Sequence, residues 1–341
     1  MSKLRILELF GGIGACSKAL ERLGIDYEIA DYVEIDKYAV KSFNAIHNTN
    51  FEPQDICKWD KDIEVDLIMH GSPCQSISLA GLQHGADKGS GTRSSLMWET
   101  VRIVEKLKPK YVIWENVKNL LSKKHRHNFD AYLETMEQLG YTNYYQVLNA
   151  KDYGIPQNRE RVFTVSIRKE SIVYDDYNSN IRKDQDTIGT LTTNCGSSTI
   201  RNGWKIIEHT QHFEFPPKQE LKLKLKDMLE DVVDEKYYLS GLAIEKIKRH
   251  NNKILNNDNL LISNTIHAGY YKMGGRDQQY IKDNRIRKLT PKECWRLMGF
   301  DDEDFEKASK VNSNTQLYKQ AGNSIVVNVL VAILKELLLN E

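Results

Sequence analysis

Apolar and polar positions follow two rhythms over the first 169 residues. Compact apolar runs, "LRILELF", "YEIADYVEI", "DLIMHG", "KYVIWENV" and "RVFTVSI", read as buried strands. Between them "GACSKALERLG", "KYAVKSFNAIH", "LMWETVRIVEKLKP" and "FDAYLETMEQLGY" carry apolar residues at helical spacing. Strand and helix units repeated at this length predict a doubly wound, mainly parallel α/β sheet. From about Glu170 to Asn284 the rhythm weakens into Asn-, Asp-, Lys- and Thr-rich sequence, where only "LKLKLKDMLEDVV" and "LSGLAIEKIKRH" read as helices. Beyond it, "LTPKECWRLMGF" has Thr290 as N-cap, Pro291 at the first helical position and Gly299 as its stop. The final "SIVVNVLVAILKELLLN" is apolar enough to be buried against the first sheet. The expected organisation is a first domain over 1–169, a smaller one over 170–311 with a loop-rich part at 170–284, and a returning segment over 312–341.

Composition adds mostly exclusions. Among 341 residues, 48 basic and 47 acidic side chains nearly cancel, so a basic surface must be local. The best candidate is "KNLLSKKHRHN", Lys118 to Asn128, although a charge run alone is most often a solvated face. Cys16, Cys57, Cys74, Cys195 and Cys294 are odd in number, scattered and without a C-x-x-C pair, which argues against a disulfide framework or a metal site. With no signal peptide and no apolar run of membrane-spanning length, the expectation is a soluble protein of the reducing cytoplasm.

Chemistry collects where strands end, as open α/β sheets require of their ligand sites. In "LELFGGIGACSKAL", glycines at 11, 12 and 14 let backbone approach a ligand at a helix start. A dinucleotide fingerprint read from Gly12 reaches Ser17 where its third glycine belongs, which strains an NAD reading. Glu34 ends the second strand, where an acid binds a ribose diol, and Asp55 follows the third; together they outline a nucleoside ridge. Glu115 lies just past an apolar strand, partly desolvated and placed to donate a proton, with helix capping as its plainer role. Arg159 and Arg161 in "GIPQNRERVF" point to one side and suit an oxygen-rich ligand or a carboxylate, or else a surface ion-pair edge. Cys74, in "MHGSPCQSISLAGLQHG", stands where an apolar run stops, an unusual place for a structural thiol.

"FGGIG", "GSPCQS", "ENV", "QNRER", "RKLTPKECWRLMGF" and "QAGNSIVVNV", in that order, resemble the successive motifs of the DNA cytosine-5 methyltransferase family. The resemblance implies an S-adenosylmethionine-dependent methyltransferase, without metal, acting on double-stranded DNA whose target cytosine is flipped out. It implies Cys74 as the nucleophile that adds to C6, Glu115 as the group that holds the base and lets N3 be protonated, Arg161 near the cytosine O2, and Arg159 as a brace for Glu115. Phe10, Gly12, Ile13 and Gly14 would line the cofactor, Glu34 its ribose, and Ile35, Asp55 and Ile56 its adenine. Pro73 and Leu96 would stand nearby, and Asn323 and Ser324 at the methionine end.

The same resemblance makes 170–284 the target recognition region and the stretch after Cys74 a closing loop. Gln75, Ser78 and Ala80 in that loop, with Arg276 and Gln278 in the recognition region, are the implied DNA contacts; Asn194 and Gln279 are further candidates. Two departures stand out: Ser76 and Ile77 replace a phenylalanine common after the cysteine, and Ala80 replaces a serine that in some relatives fills the gap left by the flipped base. The family implies a monomer, with a cognate restriction endonuclease as a candidate partner. The rival readings are a tRNA cytosine-5 methyltransferase, disfavoured by Ser72 before Pro73 and the lack of a Cys-Phe-Thr tripeptide, and a non-catalytic DNA-binding relative.

Overall fold

The structure, a computed structural model, describes residues 3–73, 93–175, 180–183, 204–241, 244–245, 254–255, 261–272, 279–282 and 285–339. The first half runs β1 (Leu4–Leu9), α1 (Ala15–Leu23), β2 (Tyr27–Val33), α2 (Lys37–His47), β3 (Leu67–His70), α3 (Met97–Leu107), β4 (Tyr111–Val117), α4 (Arg126–Gln138), β5 (Tyr141–Asn149), β6 (Gln157–Asn158) and β7 (Glu160–Arg168). Six of these strands form one sheet in the order β2-β1-β3-β4-β7-β5. β2, β1, β3 and β4 are mutually parallel, and β7 runs antiparallel to both β4 and β5. The expected doubly wound, mainly parallel sheet is thus present, with one reversed strand inside it.

Alternation along each strand divides the core. Ile6, Leu67 and Ile113 face one side, packed with α1 and the C-terminal helix, while Leu7, Ile68 and Val112 face the other, packed with α3 and α4. Both faces are therefore covered, which is why these strands read as continuous apolar runs. β5 escaped the sequence reading because "YTNYYQVLN" offers tyrosines and amides instead of aliphatics; at the sheet edge its middle residues need little burial.

The C-terminal part forms α5 (Pro291–Arg296), α6 (Asp302–Ser309), α7 (Asn314–Asn323) and α8 (Val327–Leu338). The cap predicted at Thr290 is a full capping box: the Thr290 hydroxyl accepts from the Glu293 amide at 3.1 Å, and the Glu293 carboxylate accepts from the Thr290 amide at 2.8 Å. The same carboxylate pairs with Arg287 at 2.7 Å, both side chains being fully buried. Removing either partner would strand a buried charge.

Between the two parts, β8 (Glu170–Asp175) pairs antiparallel with β9 (Asn180–Lys183) and β10 (Trp204–His209). The helix expected over "LKLKLKDMLEDVV" is only a 3-10 turn at Leu225–Met228. Its Leu-Lys alternation has a period of two, which cannot gather leucines on one helical face; Leu225 is buried while Leu223 is exposed. Phe213, Leu225, Met228, Tyr237, Ile266 and Tyr270 share the core that α1 and α8 occupy. Much of 210–272 thus packs onto the first sheet.

Candidate active site

β1 ends in a tight turn that opens toward the carboxyl edge of the sheet. Gly12 has φ 58°, a left-handed conformation in which its lack of a side chain removes the strain. The turn is fastened to β2: the Tyr32 hydroxyl donates to the Gly12 carbonyl at 2.6 Å, and the Gly12 amide donates to Glu34 Oε2 at 3.2 Å. The other Glu34 oxygen accepts from the Asp36 amide at 2.8 Å. Burial in the cleft wall raises the Glu34 pKa, opposed by these two amides. Ile35, between the two acids, is 71% exposed, an unusual state for isoleucine in a well-packed chain.

Two clefts meet here. The first, about 400 Å³, reaches from Glu8, Phe10 and Gly12 to Glu115; the second, about 330 Å³, is walled by Ile13, Glu34, Asp36 and Lys319. Gly12, Asn323 and Ser324 line both. Lys319 reaches across to Asp36 at 2.7 Å and so fixes the β2–α2 turn against α7. Of the sequence candidates for the cofactor, Phe10, Gly12, Ile13, Glu34, Asn323 and Ser324 come together in these clefts, with Ile35 beside them. Gly14 caps α1. Asp55 caps the 3-10 turn Ile56–Lys58 by accepting from the Cys57 amide at 3.0 Å, Ile56 is buried in the core, and Leu96 packs against that same core; these three line neither cleft.

Glu115 enters the first cleft from the end of β4. Across the ladder β4 pairs with β7 so that Glu115 opposes Phe163 and Val117 opposes Arg161, which sets Arg161 diagonal to Glu115 on the same face. Arg161 Nε lies 3.0 Å from Glu115 Oε1, both side chains largely buried. That oxygen has no hydrogen-bond partner, so the contact is an ion pair whose angle falls short of a hydrogen bond. The brace expected of Arg159 is supplied by Arg161. The guanidinium of Arg159 instead donates to the carbonyls of Ile266 at 2.8 Å, Gly322 at 3.3 Å and Ser324 at 2.8 Å. It therefore bolts the loop bearing Asn323 and Ser324 to the chain after residue 265.

The segment leading to the cysteine is anchored beside Glu115. Trp114 donates from its indole to the Ser72 hydroxyl at 3.0 Å, and Asn116 donates to the Ser72 carbonyl at 3.5 Å. Trp114 is itself stacked on His70, a buried imidazole whose pKa burial lowers to about 3. Pro73 follows at the end of this tether. Cys74, Gln75, Ser78, Ala80, Asn194, Arg276 and Gln278 lie outside the described residues, and Gln279 begins the short strand Gln279–Lys282.

Sequence reading missed Glu8. It is 2% exposed at the floor of the first cleft and accepts from the amide of Ser17 at 3.0 Å and from its hydroxyl, capping α1 from a distance because Gly14 has no side chain to do so. Burial raises its pKa to about 7. The available signal was an acid set among buried aliphatics in "LRILELF".

Comparison with known proteins adds three findings. A family model described as C-5 cytosine-specific DNA methylase matches residues 4–339. The chain is 34% identical to a type II methyltransferase, M2.ScrFI, of Lactococcus lactis subsp. cremoris over 98% of this chain and 99% of that one, and 31% identical to the orphan methyltransferase M.SPBetaI of Bacillus phage SPbeta over 99% and 98%. Among solved structures it superposes on the Entamoeba histolytica methyltransferase EhMeth with TM-score 0.73 at 18% identity, covering 100% of this chain and 99% of that one. It superposes on the S. pombe Dnmt2 methyltransferase with TM-score 0.68 at 20% identity, covering 99% of each. At these identities the structural matches establish the shared fold.

Proposed function

The chain belongs to the C-5 cytosine-specific DNA methylase family, and from that premise we propose that Cys74, Glu115 and Arg161 carry out its reaction on a flipped-out cytosine. The protein is a DNA (cytosine-5-)-methyltransferase that uses S-adenosylmethionine. Two local features fit that cofactor. Glu34 holds a carboxylate over the glycine turn where ribose hydroxyls would donate, and Ile35 offers an exposed apolar face to adenine. Asn323 and Ser324 would close on the methionine end. When bound, the cofactor supplies an electrophilic methyl group.

The resemblance to the family's motifs supplies the remaining roles, and the difficulty of the chemistry explains them. C5 of cytosine is too weak a nucleophile unaided. Cys74, as thiolate, adds to C6 and forms an S–C6 bond; the displaced electron pair moves toward N3, which takes a proton from Glu115. Arg161, paired with Glu115, turns that carboxyl toward the base and offers its guanidinium to O2. The addition leaves C5 enamine-like, so that it would take up the methyl group the cofactor supplies, whose bond to the sulfonium sulfur would break as the bond to C5 forms. A base then removes the C5 proton, the S–C6 bond breaks to release the thiolate, and N3 returns its proton to Glu115. These atoms are reachable only when the base leaves the duplex.

The observation that carries this reading is the Glu115–Arg161 pair at the mouth of a cleft whose other wall is Gly12, Asn323 and Ser324. We read the substrate as double-stranded DNA, the active form as a monomer in the cytoplasm, 170–284 as the recognition region, and a cognate restriction endonuclease as a partner to be sought. The test is bisulfite sequencing of plasmid DNA incubated with the protein and S-adenosylmethionine, beside Cys74→Ser. Protected cytosines within one short motif, absent from the control, are expected. Protection by Cys74→Ser would remove the thiol from the mechanism, and methylation of tRNA but not DNA would favour the rival substrate.

A further inference from the structure

Eleven residues from Lys118 to Asn128 hold Lys118, Lys123, Lys124 and Arg126, two histidines and no acid, in a chain whose charges nearly cancel as a whole. Their place in the fold gives this run a meaning that composition did not. It begins three residues after Glu115, where β4 stops, forms the 3-10 turn Lys118–Leu121, and leads into α4. Its near end is fixed to the active site: Lys118 Nζ lies 3.0 Å from the carboxylate of Glu160, the neighbour of Arg161, and Arg161 pairs with Val117. Its far end is fixed too, because Arg126 pairs with Asp130 at 2.7 Å and lies over the rings of Phe129 and Tyr145. Lys123 and Lys124 are exposed and lie between Lys118 and Arg126 in the strip.

We infer that this strip is a DNA-backbone contact, in which Lys123 and Lys124 bind phosphates of the duplex flanking the flipped cytosine. The inference rests on the DNA-methylating reading above. Lys123 is eight residues beyond Glu115, four of them in a 3-10 turn that rises about 2 Å each. With at most about 3.5 Å for each of the others, the two Cα atoms lie within roughly 22 Å. A duplex carries one phosphate charge per ~1.7 Å of axis, so DNA docked with a base at Glu115 presents several phosphates inside that radius. A lipid surface is the poorer match, because the strip's apolar residues point inward: Leu120 is fully buried and Leu121 packs on the core behind α3 and α4.

The test compares the wild type with a Lys123→Gln, Lys124→Gln double variant, binding a fluorescent duplex that carries the methylated motif over 50–300 mM KCl. Each lost phosphate contact removes about 0.9 from the slope of log K against log salt, so the slope is expected to shrink by about 1.8. The loss should be equal for an unrelated duplex, since phosphate contacts carry no sequence information, and kcat at saturating DNA should be unchanged. An unaltered slope in a double variant that still methylates DNA would reduce the strip to a solvated face. A wild type that methylates no DNA would instead sink the reading on which the strip depends.

Discussion

Glu8 ties the stability of the molecule to pH. Its folded pKa of about 7 stands above the ordinary 4.5, so between these values the native state keeps a proton that the unfolded chain has lost. Stability from this group is therefore full below about pH 4.5 and declines as pH rises through 7, by about 3 kcal/mol at 1.36 kcal/mol per unit of pKa. His70 works in the opposite direction: its lowered pKa makes the fold less stable as pH drops below the ordinary 6.5. Glu8→Gln leaves His70 in place, so the difference between variant and wild type isolates Glu8. Urea unfolding should find the variant gaining a few kcal/mol relative to wild type between pH 4.5 and pH 8, and a pH-independent difference would mean that Glu8 is ionised throughout. Glu115→Gln bears on chemistry instead. It keeps the shape of the side chain but cannot hand a proton to N3, and kcat is expected to fall by about 10²–10⁴. The dissociation constant for S-adenosylmethionine, measured by calorimetry, should stay put, because Glu34 and the loop at Asn323 and Ser324 lie on other elements.

At the scale of elements, the start of α5 is the most exacting joint. Thr290 caps the helix, and Glu293 serves the cap and the buried Arg287 at once. Thr290→Ala is expected to cost about 1–2 kcal/mol in thermal or denaturant unfolding, whereas Glu293→Ala should cost more, since it leaves Arg287 buried without its carboxylate. This joint was legible in advance because caps are local: Thr, Pro and Glu announce themselves within four residues. The same locality explains what was not legible. β5 is a strand by virtue of its neighbour β7, and nothing in "YTNYYQVLN" carries that pairing. Glu115 and Arg161 could be named separately, but their meeting depends on the β4–β7 register. The carbonyl contacts of Arg159 are hidden in the same way, because they belong to residues 266, 322 and 324, far along the chain.

At the scale of the whole molecule, the chain between the two halves of the fold is both a proposed recognition region and a structural part. Exchanging 170–284 for the matching segment of a relative should change which sites are methylated in a bisulfite map, and an unchanged map would reject the domain assignment. Simple deletion of 170–284 is expected to yield insoluble protein, because Phe213, Leu225, Met228 and Ile266 would leave the core shared with α1 and α8. The clefts have a related property: Gly12 on one wall and Asn323 and Ser324 on the other come from nearly opposite ends of the chain. A ribosome adding about 5–20 residues per second makes the first wall within seconds and the second only after roughly a quarter of a minute or longer. Until then the nascent chain has no complete pocket to fill, and a message cut short before residue 323 yields a product unable to modify anything.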